Sequence, residues 1–335
     1  MDQSEFRQNL VTKEWYVIAT GRAKRPHDFR REKPKVELPP HDPKCPFCPG
    51  NENQTPPTSF EIPGPSGRWQ VRACANKFSA VSPSASTQRH AEGLYRSMGG
   101  FGVHEVIVES PVHNVPSCEL PLDDFAKILF AYRHRYLSAA EHPDVELVIP
   151  FKNYGESAGC SLAHPHSQII GVGLVPTHIR QRTEELRRYY DETGTCAVCT
   201  MIEQEIEERQ RVVLDEAGFL VFAPYACGMP FETWIAPKRH IPSFCDTTDD
   251  ELRGLAAVLR QLLLKLRHGL GDPDFNYVIR SSPTDERTAQ CFHWYIKLMP
   301  RLAKAAGFEL GTGMYVNTTL PEENAAFLRE VALPS

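Results

Sequence analysis

The feature that most constrains this chain is a set of cysteines and histidines that occurs twice, in the same order and with nearly the same spacing. Each copy has a Cys-x-x-Cys pair followed by two distant histidines: Cys45, Cys48, His113 and His164, then Cys196, Cys199, His240 and His293. The histidines lie 51 residues apart in the first copy and 53 in the second. Two thiolates and two imidazoles are a donor set typical of tetrahedral zinc. We therefore expect two zinc ions as cofactors, both structural because four protein ligands leave no open position.

The segments between the repeated ligands also match. In each copy an apolar strand ends in proline and histidine, and an amphipathic helix with an acidic start and a second strand follow. The predicted helices and strands are Leu122–Ala140, Asp249–Arg267, Val145–Asn153 and Phe275–Arg280. One strong helix per copy favours an α+β fold over a βαβ array. We predict two tandem domains, residues 1–178 and 179–335, each an antiparallel sheet with one main helix, with a helix at Arg180–Thr193 bridging them.

The stretch Gly155–Gly171, GESAGCSLAHPHSQIIG, carries the strongest chemical signal. A loop of small residues runs into the histidines, and on a β-strand His164, His166 and Gln168 would share one face. Backbone N–H groups of such a loop can cradle phosphate oxygens, and a neutral imidazole can attack phosphorus near pH 7. The alternative, a core strand that happens to hold two histidines, is disfavoured by the proline between them. In this loop we expect the backbone N–H of Cys160, rather than its thiol, to be the useful group.

The second copy lacks this machinery. Tyr295 stands at the position of His166, Lys297 stands at that of Gln168, and no glycine-rich loop precedes them. We therefore expect one catalytic copy and one degenerate scaffold, in which Lys297 could still offer a positive charge to a phosphate.

Composition excludes several classes of function. The chain has 335 residues, 41% of them hydrophobic and 24% charged, as in ordinary globular proteins, and its net charge of −5 argues against a nucleic-acid-binding surface. No apolar run is long enough for a membrane span, and the N-terminus lacks signal-peptide features, so a cytoplasmic protein without membrane partners is expected. Five further cysteines are expected in the core: Cys74, Cys118, Cys227, Cys245 and Cys291.

The loop NYGESAGCS together with HPHSQ resembles the active site of the galactose-1-phosphate uridylyltransferase family, the transferase branch of the histidine-triad superfamily. Other matching motifs run along most of the chain: CPFCPGNE (Cys45–Glu52), ANKF (Ala75–Phe78), ESPVH (Glu109–His113), PFETWIAPKRH (Pro230–His240) and GFELGTGMYVN (Gly307–Asn317). The resemblance implies a ping-pong transfer in which His166 attacks the α-phosphorus of a nucleotide sugar and expels hexose 1-phosphate. A phosphate-bearing acceptor, hexose 1-phosphate or phosphate itself, then collects the nucleotide. The resemblance also implies two tandem histidine-triad-like domains in each chain and a homodimer of two chains.

The resemblance further implies roles for single residues. The catalytic set is His166, Gln168 and Ser161. Backbone N–H groups of the loop would hold phosphates, the amides of Asn153 and Gln168 would bond the ribose or phosphate side, and Asn76 would lie near the nucleoside. The implied substrate-binding set is Arg22, Lys24, Arg25, Asn76, Asn153, Gly159, Cys160, Ser161, Gln168, Gly307, Phe308 and Glu309. Glu309, with the segment Gly311–Gly313, would receive hexose hydroxyls from a second subunit. The three cations of the set would face a sugar phosphate, the alternative for them being a solvated loop.

The nucleotide stays open between uridine and adenosine. The HPH core puts uridylyl transfer first. A second complete Cys2His2 set and Ser167 in HPHSQ instead resemble plant-type ADP-glucose phosphorylases of the same family, which transfer adenylyl groups to inorganic phosphate. Some uridylyltransferases also carry metal-binding histidines where Tyr295 and Lys297 stand. A histidine-triad hydrolase, with a third histidine at Gln168, and a non-enzymatic zinc-stapled protein are weaker alternatives, the latter leaving His166 without a purpose.

Overall fold

The computed structural model describes residues 4–19, 26–30, 37–64 and 67–334. Within these ranges the chain forms strands and helices in the following order: β1 (Glu5–Gln8), β2 (Trp15–Ile18), β3 (Thr58–Pro63), β4 (Trp69–Ala75), β5 (Arg89–Glu92), β6 (Tyr95–Met98), β7 (Gly102–Val108), α1 (Leu122–Ala140), β8 (Leu147–Tyr154), β9 (His166–Val172), α2 (Thr177–Thr193), α3 (Ala197–Glu208), β10 (Val212–Glu216), β11 (Phe219–Phe222), β12 (Thr233–Pro237), α4 (Asp249–Leu270), β13 (Phe275–Arg280), β14 (Tyr295–Pro300), α5 (Gly307–Thr312), β15 (Val316–Asn317) and α6 (Pro321–Glu330).

Ten of the strands form one antiparallel sheet that runs through both halves of the chain. Its order is β10-β11-β12-β14-β13-β8-β9-β7-β4-β3, so each half contributes five neighbouring strands. The halves join where β8 pairs with β13, with Asn153 opposite Asn276. The predicted α+β class with two tandem, repeated halves is confirmed, whereas the fusion of their sheets was not predicted.

The two faces of the sheet are covered differently. On one face α1 and α4 pack together over both halves, with Ile107 of β7 and Ile235 of β12 in a shared hydrophobic core. On the other face of the first half, Val106 and Val108 pack with the loop that contains Phe47. Because side chains alternate along a strand, one sequence supplies both the core and the functional face.

The helices form largely where their patterns predict them. α1 has the predicted bounds, and α4 continues three residues beyond Arg267 to Leu270. At the start of α4, Thr248 accepts from the Glu251 N–H while the Glu251 carboxylate accepts from the Thr248 N–H, a reciprocal capping box. Gly271 ends the helix in the left-handed conformation.

Two local details differ from expectation. β9 begins at His166, so His164 lies in the bend before the strand, while His166 and Gln168 face Val108 and Val106 across the β7 register. The helix α3 was not predicted.

No helix in the described part of the chain is long and apolar enough to cross a membrane.

Candidate functional site

The first predicted metal set comes together beneath the sheet. The ligand atoms of Cys45, Cys48, His113 and His164 all lie within 4.8 Å of one another and all four residues are buried. The Nδ1 atom of His164 is 3.7 Å from the sulfur of Cys45 and 3.6 Å from that of Cys48. Tetrahedral zinc with ordinary bond lengths holds sulfur and nitrogen about 3.6 Å apart. Burial lowers the pKa of His164 to about 4, which keeps it in the neutral, ligating form.

The second predicted set also comes together, in the second half of the chain. The ligand atoms of Cys196, Cys199, His240 and His293 lie within 4.8 Å of one another. In both clusters the last histidine in the sequence, which lies just before a strand, is oriented in the same way. His164 Nε2 donates to the Ser110 carbonyl at 2.8 Å, and His293 Nε2 donates to the Pro237 carbonyl at 2.9 Å. Such bonds leave Nδ1 for a metal. Both sites fit zinc, and with four protein ligands neither ion would take part in the chemistry.

The side chain of His166 is held in one tautomer beside the first cluster. Its Nδ1–H donates to the His164 carbonyl at 2.8 Å, which leaves Nε2 unprotonated as a nucleophile. The Phe47 ring, between the two cysteines of the first cluster, packs against His166 with centroids 5.2 Å apart. Burial lowers the pKa of His166, which favours the neutral ring. Packing and a single hydrogen bond thus tie His166 to the first Cys/His cluster.

A buried charge pair supports this strand from the opposite face. Lys152 donates to the Glu109 carboxylate at 2.5 Å and to the His166 carbonyl at 3.2 Å. Glu109 also accepts from the hydroxyls of Ser117, Ser167 and Tyr132. Burial alone would raise the pKa of Glu109, but the charge of Lys152 and these hydrogen bonds hold it below its usual value. The network fixes the backbone from which His166 projects.

The amide of Gln168 is oriented by two neighbours. His104 Nε2 donates to Gln168 Oε1 at 2.8 Å, and Asn76 Nδ2 donates to the same oxygen at 3.2 Å. The backbone N–H of Ala80 donates to His104 Nδ1, which is consistent with a proton on Nε2. Since its oxygen is occupied, Gln168 has its NH2 group left to donate to a ligand. The predicted residues Asn76 and Gln168 are thus in contact, and His104 joins them.

The loop before the nucleophile is tightly wound. Gly155 has φ of 83°, and a Cβ there would come within 1.9 Å of the Asp274 carboxylate, so only glycine fits. The N–H groups of Gly159 and Cys160 donate within the loop, to Glu156 and Gly155. The Cys160 thiol donates to the Leu162 carbonyl at 3.2 Å. Of the three predicted phosphate-binding N–H groups, that of Ser161 has no partner among the described residues, and neither does its hydroxyl.

Two cavities meet at His166. One, of about 520 Å³, is lined by Phe47, Asn76 and Gln168, and the other, of about 580 Å³, is lined by Asn153 and the loop. Ser161 and His166 line both. The arrangement offers a ring nitrogen with space on either side and neutral donors around it. That suits an attack on a phosphoryl group that joins two bulky parts of one substrate.

Models of the galactose-1-phosphate uridyl transferase N-terminal and C-terminal domains match residues 1–176 and 182–333. The chain belongs to the galactose-1-phosphate uridylyltransferase family. It is 35% identical to an ADP-glucose phosphorylase of Arabidopsis thaliana, over 98% of this chain and 93% of the relative. It is 28% identical to a galactose-1-phosphate uridylyltransferase of Thermotoga maritima, over 97% of this chain and 98% of the relative.

Solved structures of similar proteins have the same fold as this chain. The crystal structure of an Arabidopsis thaliana ADP-glucose phosphorylase with bound ADP-glucose matches with a TM-score of 0.85 at 33% identity, covering 99% of this chain and all of that one. A uridylyltransferase structure matches with a TM-score of 0.75 at 27% identity, covering 98% of both chains. The predicted family is confirmed.

In the second half of the chain, the residues at the positions of His166 and Gln168 have different neighbours. Tyr295, at the position of His166, stacks on Trp234 with ring centroids 4.1 Å apart. Lys297, at the position of Gln168, forms an ion pair of 2.9 Å with Glu232. Burial alone would lower the pKa of Lys297, but Glu232 raises it. Neither residue is placed to attack phosphorus.

Some predicted substrate residues lie elsewhere. Arg22, Lys24 and Arg25 are outside the described residues. Gly307, Phe308 and Glu309 form the start of α5, where the first two are exposed, and they line neither cavity beside His166. Glu309 accepts from the Ala306 N–H at 2.9 Å. Their predicted role therefore requires a second subunit.

Other residues of the site were missed. Asn276, on β13 of the second half, donates to Asn153 Oδ1 at 2.8 Å and to the Ala158 carbonyl at 2.8 Å. Asp274 accepts from the Ser157 N–H at 2.8 Å. Because these contacts depend on the pairing of β8 with β13, no local signal in the sequence could have found them.

Proposed function

We propose that this protein transfers a nucleotidyl group from a nucleotide sugar to a phosphate-bearing acceptor, through a covalent adduct on His166. The observation that carries the proposal is the free Nε2 of His166 between two cavities, with Nδ1–H anchored to the His164 carbonyl at 2.8 Å. A side chain with no chemical role would not need this tautomer at the junction of two open cavities.

In the first step His166 Nε2 bonds to the α-phosphorus, and the bond from that phosphorus to the oxygen of hexose 1-phosphate breaks. The electron pair leaves with hexose 1-phosphate, and the adduct is a nucleotidyl-imidazolium whose proton stays on Nδ1. In the second step a phosphate oxygen of the acceptor attacks the same phosphorus and the bond to Nε2 breaks. The neutral ring is restored, so no other proton acceptor is required.

The neutral donors around the phosphorus would stabilise charge on its oxygens. Ser161 offers an N–H and a hydroxyl, and Gln168 and Asn153 offer the NH2 groups left by their occupied oxygens. Preoriented donors of this kind act mainly by position and electrostatics. Since Gln168 cannot accept a proton as a base, water is disfavoured as the acceptor relative to a phosphate.

For the donor substrate, we place ADP-glucose first, with inorganic phosphate as the acceptor. The identity of 35% to an ADP-glucose phosphorylase, against 28% to a uridylyltransferase, supports this order, which reverses the one drawn from motifs alone. Lys297 supports it as well, because its ion pair with Glu232 occupies a position where some uridylyltransferases carry a metal-binding histidine. UDP-glucose with galactose 1-phosphate is the second candidate, supported by the description of the matching family models.

We also propose zinc in both clusters, a homodimer and a cytoplasmic location. The Cys2His2 donor sets of both clusters support zinc, as do the sulfur–nitrogen distances of 3.6 and 3.7 Å in the first cluster. Phe308 and Leu310, 51% and 75% exposed on α5, support a partner surface that would bring the Gly307–Glu309 segment to another subunit. The division into domains at residue 178 stays a prediction. Elemental analysis should give two zinc ions per chain, and sedimentation should give a dimer.

The deciding experiment is the intact mass of the protein after brief incubation with ADP-glucose or, separately, UDP-glucose. An AMP adduct that inorganic phosphate removes would establish the phosphorylase. A UMP adduct that galactose 1-phosphate removes would establish the uridylyltransferase. An adduct that water alone removes at full rate would favour the hydrolase, and turnover with no adduct from either donor would overturn the covalent role of His166.

A further inference from the structure

A separate cavity of about 180 Å³ lies on the second half, beside the strand position equivalent to the nucleophile. Three elements direct cationic side chains to it: Arg182 from α2, Arg280 from β13 and Lys297 from β14. It does not share a lining residue with either cavity at His166. The proposed transfer reaction makes no use of it.

The two arginines have no protein partner in the described part of the chain. Neither guanidinium forms a hydrogen bond or an ion pair there, and the Nε atom of Arg280 is buried without an acceptor. Burial and the nearby charge of Arg182 lower the pKa of Arg280, and the smaller opposing effects of Tyr295, Glu14 and Glu232 do not offset them. A buried cation without an acceptor, next to a like charge, destabilises a fold unless an anion lies between them.

The other charged groups that face the cavity are already engaged. Lys297 forms its ion pair with Glu232, whose same oxygen accepts from the Trp234 indole at 3.1 Å. Glu14 accepts from the Tyr16 hydroxyl at 2.5 Å. The cavity therefore holds three cations against two carboxylates, and both carboxylates have donors of their own.

His178 also faces the cavity and adds no positive charge at neutral pH. Burial lowers its pKa, and the charges of Arg280 and Arg182 lower it further. A neutral imidazole beside two guanidinium groups can donate a hydrogen bond to an oxyanion without opposing its charge.

We propose that this cavity binds a phosphate-type oxyanion, either inorganic phosphate or the phosphate group of a small monoester, held by Arg182 and Arg280. A guanidinium presents a planar fork of donors that matches such an anion, and two forks can share one. The volume admits a tetrahedral oxyanion but is too small for a nucleotide sugar. The site binds without reacting, because Tyr295 stands in place of the nucleophile and Lys297 is held by Glu232.

The test is calorimetric titration of the full-length protein with inorganic phosphate. Wild type should bind two phosphates per chain, one near Ser161 and one here. Arg182→Met should weaken one of the two affinities by about tenfold or more. The double variant R182M/R280M should bind a single phosphate. Arg253→Met is the matched control, since Arg253 is an exposed arginine on α4 that pairs with Asp250 and lies over the Phe130 ring, and this variant should bind two phosphates.

Titration with glucose 1-phosphate distinguishes a monoester from inorganic phosphate as the ligand. An affinity at this site equal to that of inorganic phosphate would indicate that only the phosphate group is recognised. Loss of binding would indicate a site for free phosphate. Anomalous scattering from tungstate, used as a heavier oxyanion, would locate the site. Two phosphates bound by the double variant, or tungstate only near Ser161, would overturn the proposal. Because Arg182 is half-buried, R182M provides a result even if R280M misfolds, and neither result depends on an adduct at His166.

Discussion

The two halves of this molecule share a sheet order, a long helix and a Cys2His2 cluster, yet only the first carries a second histidine on the strand after that cluster. His166 projects between two cavities, whereas its equivalent Tyr295 is stacked on Trp234 in a hydrophobic cluster with residues of α2 and α3. Keeping the Cys2His2 cluster therefore preserves the framework, but it does not preserve the arrangement on which the proposed chemistry depends. The chemistry depends on what surrounds the strand after the last histidine ligand.

The same comparison extends to the group two residues further on. Across the strands, Gln168 pairs with Val106, and Lys297 pairs with Trp234. In each copy a polar side chain two residues before that partner holds it, His104 for Gln168 and Glu232 for Lys297. One position in the repeat thus supports a neutral amide in one half and a buried ion pair in the other.

The largest expected effect is at the nucleophile. His166→Ala should abolish the adduct and lower turnover by about 10⁴-fold or more, since no other described side chain is placed to attack phosphorus. Intact mass and steady-state kinetics measure both effects. His268→Ala, which removes an exposed histidine at the end of α4, is the control and should react as wild type. An adduct on the His166→Ala protein would place the nucleophile elsewhere.

Loss of either metal cluster should separate stability from chemistry. Cys45→Ser and Cys196→Ser should each lower the zinc content from two ions to one and lower the unfolding midpoint, because the metal stabilises only the folded state. The first should also slow adduct formation by about 10–100-fold, since Phe47 and His164 position His166. The second should leave the rate per folded molecule near wild type. Equal loss of rate in both would mean that the halves are coupled through the sheet.

The buried pair under the nucleophile should cost more than an exposed pair in the other half. Lys152→Met leaves the Glu109 carboxylate, which is 1% exposed, without its cation, at an expected cost of about 3–5 kcal/mol in unfolding free energy. Lys238→Met removes one of the two cations paired with Asp215 and leaves Arg209; because the lysine is 38% exposed, the cost should be below about 1 kcal/mol. Urea unfolding gives both values. Similar losses would show that the buried pair is already compensated by its hydroxyl donors.

The next largest effect is expected from loss of the hydrogen bond that His104 donates to Gln168. His104→Phe should slow adduct formation by about 5–30-fold, equivalent to about 1–2 kcal/mol, with little change in stability. His104→Asn should restore part of the rate, because its amide can donate to Gln168. The control is His134→Phe on α1, where the ring stacks on Phe60 at 4.0 Å and does not contact Gln168. An effect on unfolding alone would reduce His104 to a packing role.

Much of this architecture could be predicted because its signals are local or repeated. Helical spacing predicts α1 and most of α4, and the repeated order of cysteines and histidines predicts both metal clusters. The helix α3 was not predicted, although Val198, Ile202 and Ile206 have helical spacing.

The rest depends on the register between distant strands. Asn276 reaches Asn153 only because β13 pairs with β8, and His104 reaches Gln168 only because β7 pairs with β9 in the observed register. Lys152 is one residue before Asn153, and alternation sends it to the opposite face, toward Glu109. A shift of one residue in pairing would exchange these faces, and no periodicity within one segment determines that register.

The smallest change in unfolding free energy is expected at the helix starts, which differ between the two long helices. α4 begins with the reciprocal Thr248 and Glu251 bonds, whereas α1 follows Pro121 without a side-chain cap. Thr248→Ala should therefore cost about 1 kcal/mol, while Thr195→Ala in an exposed loop should cost almost nothing. The hydrogen bond from Arg239 and those from Thr248 lower the pKa of Glu251 from 4.5 to about 2.

Because the folded pKa lies below the unfolded value, the contribution of Glu251 is complete above about pH 4.5 and is lost as the pH falls toward 2. The unfolding free energy of Glu251→Gln should therefore lie below that of wild type at pH 7 and approach it at pH 3. Urea unfolding at the two pH values measures that difference. A difference that stays constant would mean that shape, rather than charge, supplies the cap of α4.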